Sequence, residues 1–131
     1  MGGLQVTLLI KIIYTAVFWG LPLLFFPAYA ARRLCIPEPR PVLFAHLLGA
    51  AFTALLVGYV YGLRDSLAGQ NIRNVVVVGI VSNGLAFLLL VLFAREWRQW
   101  GGAWAQAYMW ASTVVTFAIT AGLIFFGLLG V

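Results

Sequence analysis

A single imidazole, His46, lies inside the otherwise apolar run VLFAHLLGAAFTALLVGYVYG, which fills the stretch from Pro41 to Leu63. Lipid tolerates an ionisable ring only where it is paired or lines an interior, so His46 is a candidate for function. Its free nitrogen could ligate a haem or chlorin, or donate to a quinone carbonyl. Counting along the apolar runs puts His46 about seven residues, ~10 Å, from the midplane. Tyr29, Gln106 and Tyr108 fall in the same leaflet, and with His46 they form a candidate ligand-binding group. The plainer use of His46 is a hydrogen bond to a tyrosine or a backbone carbonyl. The sequence holds one histidine, so a bis-histidine haem would need a second chain.

Thr53, Asn83 and Thr116 come to similar depth when the midpoints of the apolar runs are aligned. They are expected to make polar contacts in a bundle core, bonding across it at ~0.6 kcal/mol each. The same level could instead form a small polar pocket or a channel constriction. His46, Gly49 and Thr53 share one helical face, and Gly49 with Ala50 allows close backbone approach there.

The remaining chemistry is sparse. Asp65, Glu38 and Glu96 are scattered over three loops and Cys35 is alone. Neither an intrachain disulfide nor a structural zinc site can be assembled from that set. No acid interrupts an apolar run, so the carboxylate of a proton-coupled pump is absent. A Ser-His-Asp set, a phosphate loop and paired carboxylates are lacking too, and catalysis by this chain's own side chains is not expected. No cofactor is assigned outright; quinone, haem or chlorin at His46 is the option left open.

The elements that must position these residues follow from composition. Of 131 residues, 64% are apolar and 8% charged, with a mean hydropathy of +1.06. Soluble domains carry about a quarter charged residues, which places this chain in the membrane class. Asn74 to Ala94, NVVVVGIVSNGLAFLLLVLFA, carries no charge and is long enough for a ~30 Å hydrocarbon core. Further spans are expected at about 8–31, 41–63 and 103–128. The fold class is all-α: an integral membrane four-helix bundle with short loops, one domain over residues 1–131.

Along the chain, the first apolar segment runs from Leu4 to about Ala31. Lys11, Ile12 to Phe26 and Ala28-Tyr29-Ala30 also have the order of a secretory signal, but the segment is read as a spanning helix kinked near Pro22. Lys11 is expected to snorkel to an interface, where Tyr14, Tyr59 and Tyr61 would be anchors. Pro37, Pro39 and Pro41 stiffen the loop after it, and Asn71 is a candidate N-cap for the third span. The REWRQWGG stretch and Trp104 resemble an interfacial aromatic belt. Ala103, Ala107 and Ala111 form a small-residue row suited to helix contact. Eight basic residues against three acidic ones give a charge of +5, with Arg concentrated between the apolar runs. That pattern suits anionic headgroups and not nucleic acid. Five Arg lie in the loops after the first and third spans. Arg64, Arg73 and Lys11 lie toward the other side, which favours both termini outside.

FFPAYAARRLCIPEP, then HLLGAAFTALLVGYVYGLRD, then NVVVVGIVSNGLAF resemble the small bacterial four-helix membrane proteins of the DoxX-like type. Those proteins share a Phe-Pro step ending the first helix, a Leu-Gly step opening the second and a Gly-rich third. The resemblance covers Phe25 to Phe87, with His46 standing where an Arg is usual. It implies a bacterial inner-membrane protein, with relatives linked to quinone-associated redox complexes. Three functions are expected, in order: an accessory or structural subunit packing with other membrane subunits or itself; a quinone- or pigment-binding protein; a small channel or transporter.

Overall fold

The computed structural model describes residues 2–25, 41–99 and 101–130, the stretch 41–47 by its backbone. All the regular structure among them is helical. Helix α1 is Gly3–Leu24, α2 is Pro41–Leu67, α3 is Arg73–Leu92 and α4 is Ala103–Leu128. Among the described residues α1, α3 and α4 are long and apolar enough to cross a membrane. At 27 residues, α2 reaches about 40 Å at the α-helical rise.

Local chemistry sets the ends. Pro41 opens α2, where a fixed φ and a missing N–H cost nothing. Between α2 and α3, Gly69 takes a φ of 75° that a Cβ would resist. Asn71 Oδ1 accepts the Arg73 N–H at 2.9 Å, but the N-cap position itself falls to Ile72, which makes no side-chain cap bond, so the expected N-cap stands one residue too early. After α3 a short helical turn, Ala94–Trp97, and Gly102 at φ 95° return the chain into α4.

Helix α1 is not a uniform α-helix. Its Thr15–Gly20 turn widens to π geometry directly before Pro22, with the Leu21 N–H reaching Ala16 O. Pro22 has no N–H to offer the Phe18 carbonyl one turn back. The Tyr108 hydroxyl donates to that carbonyl instead, tying α4 to the irregular part of α1. The departure from α geometry thus falls where the sequence placed a kink.

The helices pack as two close antiparallel pairs, α1 with α2 and α3 with α4. Helix α1 also runs along α4, whereas α2 and α3 touch sparsely. Each of these four contacts is made over a glycine. Those glycines are Gly49 for α1–α2, Gly62 for α2–α3, Gly79 for α3–α4 and Gly122 for α4–α1. A Cβ on Gly49 would sit 2.7 Å from the Leu23 carbonyl carbon, so the backbones themselves meet there. Leu8, Tyr59, Val76, Ile119 and Leu123 fill the centre. Around them the buried side chains are unusually polar, including Thr7, Thr15, Asn83, Ser112 and Thr113, while Val17, Leu21, Val57, Leu85 and Phe117 face outward. That inside-out distribution suits an apolar surrounding.

Candidate functional site

Lys11 is 3% exposed, within α1 rather than at its end. Because α1 begins at Gly3 and not near residue 8, eight residues precede Lys11, or about 12 Å of rise. The snorkelling lysine expected from the sequence is therefore an interior residue. Its Nζ lies 4.2 Å from the Tyr59 ring centroid and 3.5 Å from Ser82 Oγ. Among the described residues it has no carboxylate partner.

Tyr59 is also interior, at 2% exposure, and its hydroxyl meets Ser82 Oγ at 2.9 Å. Ser82 Oγ is in turn 3.1 Å from the Gly79 carbonyl and 3.4 Å from Asn83 Nδ2. One hydroxyl on α3 thus links the lysine of α1, the tyrosine of α2 and its own neighbour. Gly79 makes the arrangement possible. A Cβ there would lie 2.6 Å from Leu123 Cδ1 and 3.8 Å from Lys11 Cε. Tyr14 is also buried, and among the described residues its hydroxyl has no partner. Of the three tyrosines expected at an interface, only Tyr61 is exposed.

This cluster forms one end of a cavity of about 190 Å³ to which all four helices contribute. Its other end is apolar and aromatic: Trp19 from α1, Leu48 and Phe52 from α2, Ala86 and Leu90 from α3. The Trp19 and Phe52 rings are 5.8 Å apart. Numbering rises from Lys11 to Trp19 and from Ser82 to Leu90 but falls from Tyr59 to Leu48, as antiparallel neighbours require. Polar and apolar ends are thus separated along the helix axes by about 12 Å, eight residues of α1. A wider open groove between α2 and α3, along Ala51, Ala54, Gly58 and Val78, shares the walls Leu55 and Tyr59 with the cavity.

The residues singled out in the sequence distribute unevenly. Tyr29 and the His46 side chain lie outside the described residues, as do Cys35, Glu38 and the Ala28-Tyr29-Ala30 stretch. Gln106 and Tyr108 are described, but apart from the cavity lining. Gln106 Nε2 donates to Trp97 O at 2.8 Å, and Tyr108 caps Phe18 while its ring lies 5.2 Å from Trp19. Asn83 and Thr116 do line the cavity, with Thr53 half-buried nearby. Their bonds differ from the expected cross-bundle ones. Asn83 Nδ2 donates to Gly79 O at 2.8 Å, Thr116 Oγ1 to Ser112 O at 2.7 Å and Thr53 Oγ1 to Gly49 O at 2.8 Å. Each returns to its own helix one turn back, the nearest acceptor a short side chain can reach. Thr113 and Thr120 do likewise.

The aromatic belt is also partly interior. Trp97 is buried edge-on against Trp110 and donates to Leu90 O at 2.7 Å, while Trp104 is 88% exposed. Lys11, Tyr59, Ser82 and Trp19 were not singled out as a site from the sequence. The available signal was the spacing of Lys11, Tyr14, Thr15 and Trp19, which share one helical face.

Among the described residues no group of His, Cys, Asp and Glu could hold a metal ion. The arrangement can present hydrogen-bond donors and a lysine amine at one end of an apolar space. What fold and cavity define together is a chain whose described residues are helical, three of the described helices long and apolar enough to cross a membrane, with a polar-ended cavity. No protein-family model, curated protein or solved structure matches it.

Proposed function

We propose that the chain is a non-catalytic integral membrane protein, a four-helix bundle of the bacterial inner membrane, that holds a small amphipathic ligand beside Lys11. One observation carries this reading: a four-helix cavity with a buried amine at one end and an aromatic wall at the other. Ligand pockets combine a mostly apolar lining with a few placed polar groups. An ionisable residue inside the membrane is a functional-site hypothesis in its own right. The DoxX-like resemblance agrees with it, moving the polar anchor from His46 to Lys11. A quinone head group is one ligand of suitable size.

The test is extraction. Protein purified in mild detergent is expected to release a stoichiometric small molecule on solvent treatment, identified by mass spectrometry. Ala86→Leu, which fills the cavity wall, should release none. An empty extract from the native protein, together with no binding of added small amphiphiles, would sink the reading.

A second role is favoured by the outer face of α4. Ala103, Ala107 and Ala111 are all exposed. That row is free to meet another copy or another membrane subunit, and close small-residue contact is a common basis for helix association in lipid. Purified protein is then expected to run as an oligomer or with a partner. A stable monomer that carries nothing with it would remove this role without touching the cavity.

A further inference from the structure

We infer that the cavity's ligand is a small organic monoanion, a carboxylate on a compact aromatic or short aliphatic body, with Lys11 as its counter-charge. This rests on the ligand-binding reading above and names the chemistry of that same site.

Charge comes first. Lys11 has only weak neutral company, a ring at 4.2 Å and a hydroxyl at 3.5 Å, and among the described residues no carboxylate to pair with. A buried ammonium lacking an acid is poorly compensated, and an entering anion supplies what is missing. A neutral carbonyl ligand would offer acceptors but no opposite charge.

Donors come second. The Tyr14 hydroxyl is buried on the cavity wall, one helical turn from Lys11, and has no partner among the described residues. The Lys11 ammonium keeps donors beyond the one shared with Ser82. A carboxylate's two oxygens accept several such bonds, and charge-assisted ones are the stronger kind. The Asp and Glu carboxylates of α2 and of the turn after α3, Asp65 and Glu96, line no part of this cavity.

Size comes third. A cavity of about 190 Å³ is somewhat larger than the ~150 Å³ apolar cavity that accommodates benzene. A benzene ring bearing one carboxylate, or a chain of about six carbons, matches it, the body lying against Trp19 and Phe52. A long acyl chain does not fit within it.

Equilibrium dialysis of labelled benzoate against the full chain in detergent, with protein-free micelles as the blank, tests the assignment. Benzamide is the neutral probe of the same shape. Benzoate is expected to bind at one site per chain, at least tenfold tighter than benzamide. Lys11→Met should lose at least tenfold in benzoate affinity while leaving benzamide within about threefold. Ala86→Leu, which keeps the lysine, should abolish both. Equal binding of the two probes, or full benzoate binding by Lys11→Met, would overturn the anion assignment and leave the cavity reading standing. Failure of the native protein to bind either probe would overturn the assignment, and an empty solvent extract besides would end the ligand-binding reading. Undiminished binding by Ala86→Leu would place the site elsewhere and overturn the assignment as well. Helical content by circular dichroism identifies any variant that fails to fold; Lys11→Gln then takes the place of Lys11→Met.

Discussion

Lys11 carries its amine on a four-carbon stem that turns inward past Gly79 and ends between Tyr59 and Ser82. A 3.5 Å contact to a hydroxyl is at the outer edge of hydrogen bonding and satisfies little of an ammonium's demand. Lys11→Met keeps the volume and removes that demand. The variant is therefore expected to raise the unfolding free energy in detergent by about 1–2 kcal/mol. Tyr59→Phe works in the opposite direction. It deletes the 2.9 Å bond to Ser82 Oγ and should cost ~1 kcal/mol. If Lys11→Met were the more destabilised of the two, the lysine would be a structural tie and not a ligand's counter-charge. This residue was half legible in the sequence. A charge in an apolar run is plain to see, but its depth depends on where the helix starts. Five residues at the start of α1, about 7–8 Å, decide between interface and interior. Asn83 and Thr116 were legible as buried because polar groups avoid lipid. Their bonding was not, because an acceptor one turn back lies within the same helix and requires no knowledge of neighbours.

Elements meet where side chains are missing. Gly79 in α3 receives Leu123 of α4 at a distance that a Cβ would reduce to 2.6 Å. Gly79→Ala is expected to destabilise by about 1–3 kcal/mol through overpacking. In a Leu123→Ala background the cost of Gly79→Ala should shrink, because the two positions are in direct contact and their effects are not additive. Strict additivity in this double-mutant cycle would mean that the glycine serves something other than helix approach. A second cycle probes the π turn of α1. Tyr108→Phe leaves the Phe18 carbonyl without its donor and should cost about 1–2 kcal/mol in the native chain. In Pro22→Ala, where a backbone N–H returns at the position that normally serves that carbonyl, the cost of Tyr108→Phe should shrink by at least half. An unchanged cost would show that the tyrosine is bound for some other reason. The irregular geometry was foreseeable from Pro22, but the residue that compensates for it is 86 positions further along, at Tyr108. No local pattern carries a pairing of that range.

At the scale of the whole molecule, α1 and α2 lie antiparallel, with Gln5 Nε2 reaching Ser66 at 3.3 Å. The first residues of the chain and the α2–α3 loop therefore share one end. Trp97, Arg98 and the turn into α4 occupy the other, where Arg98 lies 6.0 Å from the Trp110 ring. Lys11 was counted with Arg64 and Arg73 in the sequence-based charge comparison, yet a buried side chain does not face either aqueous side. Removing it leaves five Arg on one side against two on the other, a wider margin than the sequence alone offered. On the positive-inside tendency we expect the Arg98 end in the cytoplasm and the N-terminus outside. This arrangement can be read directly. With Cys35 replaced by Ser, Gln70→Cys in the α2–α3 loop should react with an impermeant thiol reagent added to spheroplasts. Gln99→Cys, in the turn before α4, should react only after the membrane is opened. Both side chains are exposed, so accessibility within the protein does not confuse the result. The reverse pattern would invert the orientation, and with it the side from which Lys11 is nearer. Labelling of both sites from one side would mean that α3 does not cross, and the cavity would then have no lipid around it to justify an interior lined with hydroxyls and an amine.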